Sequence, residues 1–280
     1  MRLVCGIALV CLLFTPCSSS GQGLDSTEVK IFLNTLVETV GQAISGGVLW
    51  SANTHGGLPH FQMGAGLNVV GIEAVNPTDT SETLVAVVPT MFLFGGIGIL
   101  KGFSPNPLVG GIGSVDLIGR FGQFPTVGEY RKYAEMAPAI FGGGIRMGLL
   151  RNSLIAPAVS LTFAYTRTSQ MMYVFSDSTA EAWAKLKLST LSLHVDISKN
   201  LLLITPYAGI GWDWHEFNAS WEVDYVNPLM EDDSGGMDLK PSSRRLYAGV
   251  ELCLVIIHLN LEGGLTGGNG FVAAGARIGF

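Results

Sequence analysis

From His60 to the last residue the chain repeats one pattern, an apolar side chain at every second position opposite glycine, polar or charged residues. Phe61, Met63, Ala65, Leu67 and Val69 alternate with His60, Gln62, Gly64, Gly66 and Asn68. Phe141, Ile145, Met147 and Leu149 alternate with Gly142, Gly144, Arg146 and Gly148. The pattern returns at Val159 to Tyr165, at Phe217 to Tyr225, at Leu246 to Ile256 and at Ile257 to Leu265. Period two separates the two faces of a strand, so a chain patterned this way is built of sheet.

Composition limits which sheet. Hydrophobic residues make up 48% and charged residues only 14%, against about 25% charged in ordinary soluble proteins. A spanning helix needs about 20 apolar residues. The nearest stretch, Thr83 to Leu100, is interrupted by Pro89, Gly95, Gly96 and Gly98. An apolar chain without helical spans, with charges kept to one strand face, suits a sheet that has lipid outside and a polar interior. Backbone groups find no water in lipid, so such a sheet must close on itself. The expected fold class is all-β: a closed antiparallel transmembrane β-barrel of roughly 10–14 strands with a short N-terminal amphipathic helix. A soluble secreted β-sandwich is the alternative that alternation alone leaves open.

The first residues read as an address. Met1 and Arg2, the apolar run Leu3 to Thr15 and the small residues Ser18 to Gly21 have the layout of a secretory signal peptide over residues 1–20. A lipidated Cys17 is the rival reading, and Phe14, Thr15 and Pro16 fit it poorly. If Cys17 leaves with the signal, Cys253 is the one remaining cysteine, and no internal disulfide forms. Residues 21–42 carry Val29, Phe32, Leu33, Leu36, Val37 and Val40 at helical spacing, with Asp25 and Glu28 arranged as a capping box. This helix is expected as a plug or periplasmic cap, and 43–280 as the barrel.

Two shifts of phase interrupt the alternation, one near Ile256, where a turn or bulge is expected, and one between Leu188 and Leu191. Trp212 and Trp214 lie on the apolar phase near a segment end, as in an interfacial aromatic girdle. At the C-terminus Val272, Ala274, Ala276, Ile278 and Phe280 share one face. This ending resembles the closing strand of bacterial outer-membrane barrels. The resemblance implies that Phe280 and Ile278 form the signal read by the barrel-insertion machinery.

Further stretches, in order, resemble one uncharacterised, domain-of-unknown-function family of bacterial outer-membrane β-barrel proteins. They are GVLWSANTH at 47–55, VDLIGR at 115–120, TPYAGIG at 205–211 and the closing strand. The helix-then-barrel order looks more loosely like the long-chain fatty-acid transporter barrels, whose N-terminal segment plugs the lumen. These resemblances imply the outer membrane of a Gram-negative-type bacterium, outer-membrane lipid as surroundings and a small hydrophobic ligand as partner.

For chemistry the chain offers little. The histidines His55, His60, His194, His215 and His258 show no close metal-ligand spacing, and no metal, cofactor-binding or catalytic residue is expected. Asp213, His215 and Ser220 could seed a hydrolase triad, although a strand-end position explains them more simply. The glycines at 95–98 and 110–113 lack dinucleotide-binding spacing. Residues 225–240 read as a long polar loop whose carboxylates lack calcium-loop spacing. A net charge of −6 argues against a nucleic-acid partner. Asp116, Arg120, Arg146, Glu222, Glu251, Glu262 and Arg277 occupy the polar phase and are the expected lumen-lining charges. The expected role is a channel or transporter for small or hydrophobic molecules. A non-conducting structural or assembly subunit and a barrel-embedded lipid hydrolase are the alternatives.

Overall fold

The computed structural model describes residues 26–47, 49–76, 79–106, 110–125, 138–176, 180–225 and 233–279. The stretch expected to be a signal peptide, Asp25, the side chain of Glu28 and Phe280 lie outside the described residues. Among the described residues one helix, α1 (Ser26–Ser45), precedes fourteen strands. In chain order they are β1 (Phe61–Asn76), β2 (Asp79–Leu100), β3 (Phe103–Asn106), β4 (Gly110–Ile112), β5 (Ser114–Gln123), β6 (Ala139–Leu150) and β7 (Ala158–Thr168). There follow β8 (Met171–Ser176), β9 (Ala180–Ser198), β10 (Ile204–Tyr225), β11 (Asp233–Leu239), β12 (Ser242–Leu254), β13 (Ile257–Thr266) and β14 (Asn269–Gly279). No described helix is long and apolar enough to cross a membrane.

Ten strands form a closed antiparallel ring in the order β1, β2, β5, β6, β7, β9, β10, β12, β13, β14. Closure has two parts. β1 pairs with β14, Gln62 against Gly279 through Val70 against Phe271. β9 pairs with β10 from Ser198 against Tyr207 to Ala180 against Tyr225. With no open edge, the ring's backbone groups bond within the wall, which is the condition for standing in lipid. β3 and β4 form a small separate hairpin between β2 and β5. β8 adds to β9 and β11 to β10, extending these two long strands past the ring.

Alternation decides which face each residue takes. Met63, Leu93, Phe121, Ile145, Phe163, Ile210, Leu246, Leu261 and Val272 stand outward and exposed. Asn68, Asp116, Arg146, His194, Asp213, Arg245, Glu262 and Arg277 stand inward and buried. The outward row of β10 is Ile204, Pro206, Ala208, Ile210, Trp212 and Trp214, and then becomes Glu216, Asn218, Ser220 and Glu222. The eleven residues of the first stretch match the roughly 9–11 that a tilted strand needs to cross the hydrocarbon. The two tryptophans mark the boundary, where amphipathic rings are favoured.

At that boundary the polarity of both faces inverts, and here one expectation is corrected. Phe217 and Ala219 do not continue the lipid-facing row, because they lie on the inward phase and are buried. Glu222 is therefore outward, beyond the apolar belt, and does not line the lumen. The phase change between Leu188 and Leu191 has the same origin. β9 keeps an unbroken register with β10 there, so no bulge is involved. Leu188 is buried inward, and Leu191 faces out on the opposite phase. The change near Ile256 is the turn between β12 and β13. The stretch read as a loop at 225–240 contains β11, and residues 226–232 lie outside the described residues.

Inside the inverted zone the wall presents Val70, Ile72, Val88, Ile140, Leu186, Leu188, Phe217, Leu239 and Phe271 to α1. Phe32, Leu33, Leu36 and Val37 of the helix are buried against them, with Val40 partly so. The helical spacing seen in the sequence is thus the contact stripe. Fully burying each such side chain contributes about 1.5–3 kcal/mol. Close approach of helix to wall requires Gly41, since a Cβ there would fall 2.1 Å from the His215 ring. After Ser45 the helix ends at Gly47, whose φ of 66° is left-handed and suits glycine.

Candidate functional site

The feature that fills the lumen is α1 together with the irregular strap that follows it, residues 46–57 apart from residue 48, which lies outside the described residues. α1 comes in from the end that carries the long connections. Its Thr39 accepts a hydrogen bond from Asn269, beside the β13–β14 turn. The strap then runs to the opposite end, where β1 begins.

A helix leaves its last carbonyls without intrahelical partners, and cations favour that end. The last turn of α1 has no basic residue of its own, and the barrel wall supplies the donors. Arg120 donates to Ile44 O at 2.9 Å and to Gly47 O at 2.8 Å. Thr90 donates to Ala43 O at 2.7 Å, and Asn68 Nδ2 lies 3.2 Å from both Gln42 O and Ala43 O. Arg245 donates to Ser45 Oγ at 2.9 Å and pairs with Asp213 at 2.7 Å.

The strap has no regular structure, so its buried backbone groups need partners from elsewhere. Wall carboxylates take its N–H groups: Leu49 N donates to Glu262 at 3.1 Å, Ser51 N to Glu251 at 3.4 Å and His55 N to Asp116 at 3.1 Å. Ser198 Oγ takes Ala52 N. Wall arginines take its carbonyls: Arg277 donates to Leu49 O at 2.8 Å and Arg146 to Ser51 O at 3.2 Å. These charges also pair with one another. Asp116 bridges Arg146 at 3.0 Å and His55 Nδ1 at 2.7 Å, and Glu251 bridges Arg277 at 2.7 Å. Trp50 wedges among them, with the Arg146 guanidinium 4.8 Å from its ring centre and Phe94 edge-on.

Six of the seven expected lining charges therefore face the lumen: Asp116, Arg120, Arg146, Glu251, Glu262 and Arg277. All six bond the last turn of the helix or the strap. Ile278 faces outward in β14 with the rest of its apolar row. Asp213 with Arg245, and the Tyr247 hydroxyl donating to Asp196, extend the network. The sequence singles out only Asp213 of this second group, and in another role, although Arg245, Tyr247 and Asp196 also sit on the polar phase.

The residues considered for a hydrolase triad are separated. Ser220 is exposed on the outward phase, and His215 is buried on the inward one. Both ring nitrogens of His215 meet hydroxyls, Thr190 at 2.9 Å and Ser243 at 3.0 Å. Of the other histidines, His55 belongs to the strap, His194 and His258 face inward, and His60 binds Gly57 O just before β1. A cavity of about 70 Å³ remains between the plug and β5, β6, β7 and β9, lined in part by Trp50, Arg120, Arg146, Thr162 and His194.

A closed ring with an apolar outer belt, an aromatic boundary and a polar, filled interior is an outer-membrane β-barrel. No family model matches the chain, and no curated protein does. Three solved structures are similar to this chain over most of its length. The translocator domain of autotransporter NalP from Neisseria meningitidis is 11% identical over 92% of this chain and 98% of that one, with a TM-score of 0.44. The outer membrane protease OmpT from Escherichia coli is 10% identical over 82% and 100%, at 0.38. The Acinetobacter baumannii protein Omp33 is 9% identical over 80% and 100%, at 0.32.

Proposed function

We propose that this protein is a plugged, non-conducting outer-membrane barrel, a structural or assembly component rather than an open channel. The observation that carries this reading is the latching of the strap. Both its N–H groups and its carbonyls are held by wall side chains from β5, β6, β9, β12, β13 and β14. Hydrogen bonds to charged groups contribute about 1.5–3 kcal/mol each, so several together make spontaneous withdrawal rare. The cavity of about 70 Å³ beside the plug has room for about five to seven waters at roughly 10–15 Å³ each. In this reading His215 is a structural residue, held between the hydroxyls of Thr190 and Ser243.

The test is conductance across planar bilayers. The intact barrel is expected to give no steady current, and a variant lacking residues 26–57 is expected to give open pores. A steady wild-type conductance of porin size would overturn the proposal and restore the channel reading.

A further inference from the structure

At the end of the lumen opposite α1, the β12–β13 turn brings three donors of different chemistry to one point. Cys253 and His258 are direct cross-strand partners, separated by the Leu254–Ile257 pair and a two-residue turn, and both face inward. Glu251 lies one inward row deeper on β12 and is buried. Cys253 Sγ lies 3.4 Å from His258 Nδ1 and 3.3 Å from Glu251 Oε1, and His258 Nδ1 lies 2.7 Å from the same Oε1.

We propose that Cys253, His258 and Glu251 form a binding site for a thiophilic divalent cation of the zinc type. Two observations point this way. In a thiol–imidazole–carboxylate triad the thiol and carboxylate engage opposite ring nitrogens. Here both face Nδ1, so the three atoms surround a shared centre instead of forming a relay. The spacing also fits. Tetrahedral zinc with its usual bonds to sulfur, nitrogen and oxygen sets its ligand atoms roughly 3.4–3.6 Å apart. Both sulfur edges lie close to this range, and only the nitrogen–oxygen edge must lengthen, by roughly 0.7 Å. Thiolate with imidazole selects zinc-like ions over calcium or magnesium.

The His258 side chain is 16% exposed, which gives the ion a path from the barrel mouth and leaves a fourth position for water. Loading releases the Cys253 proton to solvent, because the ligand is the thiolate. It also takes Glu251 Oε1 from Arg277, which keeps its bond to Leu49 O. The site therefore touches the strap at Leu49 and Ser51.

Cobalt is the probe to use, added to the folded full-length barrel in detergent, with folding checked by migration before and after boiling. Wild type is expected to develop a thiolate-to-cobalt charge-transfer band that zinc displaces. Cys253→Ser is expected to lose the band, and His258→Gln to bind at least tenfold more weakly while folding normally. Absence of the band in wild type, or undiminished binding in both folded variants, would overturn the proposal.

Discussion

Asp116 of β5 holds His55 of the strap twice, accepting from its backbone N–H at 3.1 Å and from its ring Nδ1 at 2.7 Å. The same carboxylate pairs with Arg146, so one wall side chain joins strap, neighbouring strand and charge balance. Residues 61 apart in sequence meet here only because the chain passes through the barrel that it goes on to build.

Replacing Asp116 by Asn should loosen the plug. The substitution keeps size but leaves the Arg146 guanidinium buried without its counter-ion, and breaking a buried pair costs about 3–5 kcal/mol. The unboiled, compact gel form should convert to the unfolded form at a lower temperature than wild type, and brief conductance openings should appear in bilayers. An unchanged conversion temperature with silent bilayers would show that Asp116 does not hold the strap.

Gly41 packs directly against the His215 ring of the wall. A methyl group there would meet the His215 ring at 2.1 Å, and overpacking of this kind costs about 1–3 kcal/mol. Gly41→Ala should raise the rate at which a protease added at the long-connection end cuts α1. Ile31→Ala, at a residue 61% exposed on the same helix, should leave that rate unchanged. Equal rates for the two variants would place the helix elsewhere than against β10.

The boundary at Trp214 can be tested with one substitution on either side of it. Ile210→Lys puts a cation on the lipid face and should cost about 2–4 kcal/mol in folding into bilayers. Asn218→Lys occupies the same outward phase beyond the belt, opposite Asp238 on β11, and should stay within about 0.5 kcal/mol of wild type. Similar costs at both positions would mean that the lipid belt extends past Trp214.

The sequence by itself determined the wall. Strand alternation, scarce charge and lack of a spanning helix allow few structures, because lipid satisfies no backbone group and leaves only a closed sheet. The amphipathic helix was equally plain from the spacing of Phe32, Leu33, Leu36 and Val37, and six of the seven charges assigned to the interior are there. Tertiary structure decided what those charges do and where the membrane ends. Period two tells a strand which residues share a face, and nothing in it says whether water, lipid or another part of the chain covers that face. Phe217 therefore reads as lipid-facing from its row alone although the helix covers it, and Glu222 reads as lumenal for the same reason. Likewise Leu49, Ser51 and His55 carry no periodic signal. Their partners Glu262, Glu251 and Asp116 are brought to them by closure of the ring, and only that closure turns a set of lumenal charges into a latch.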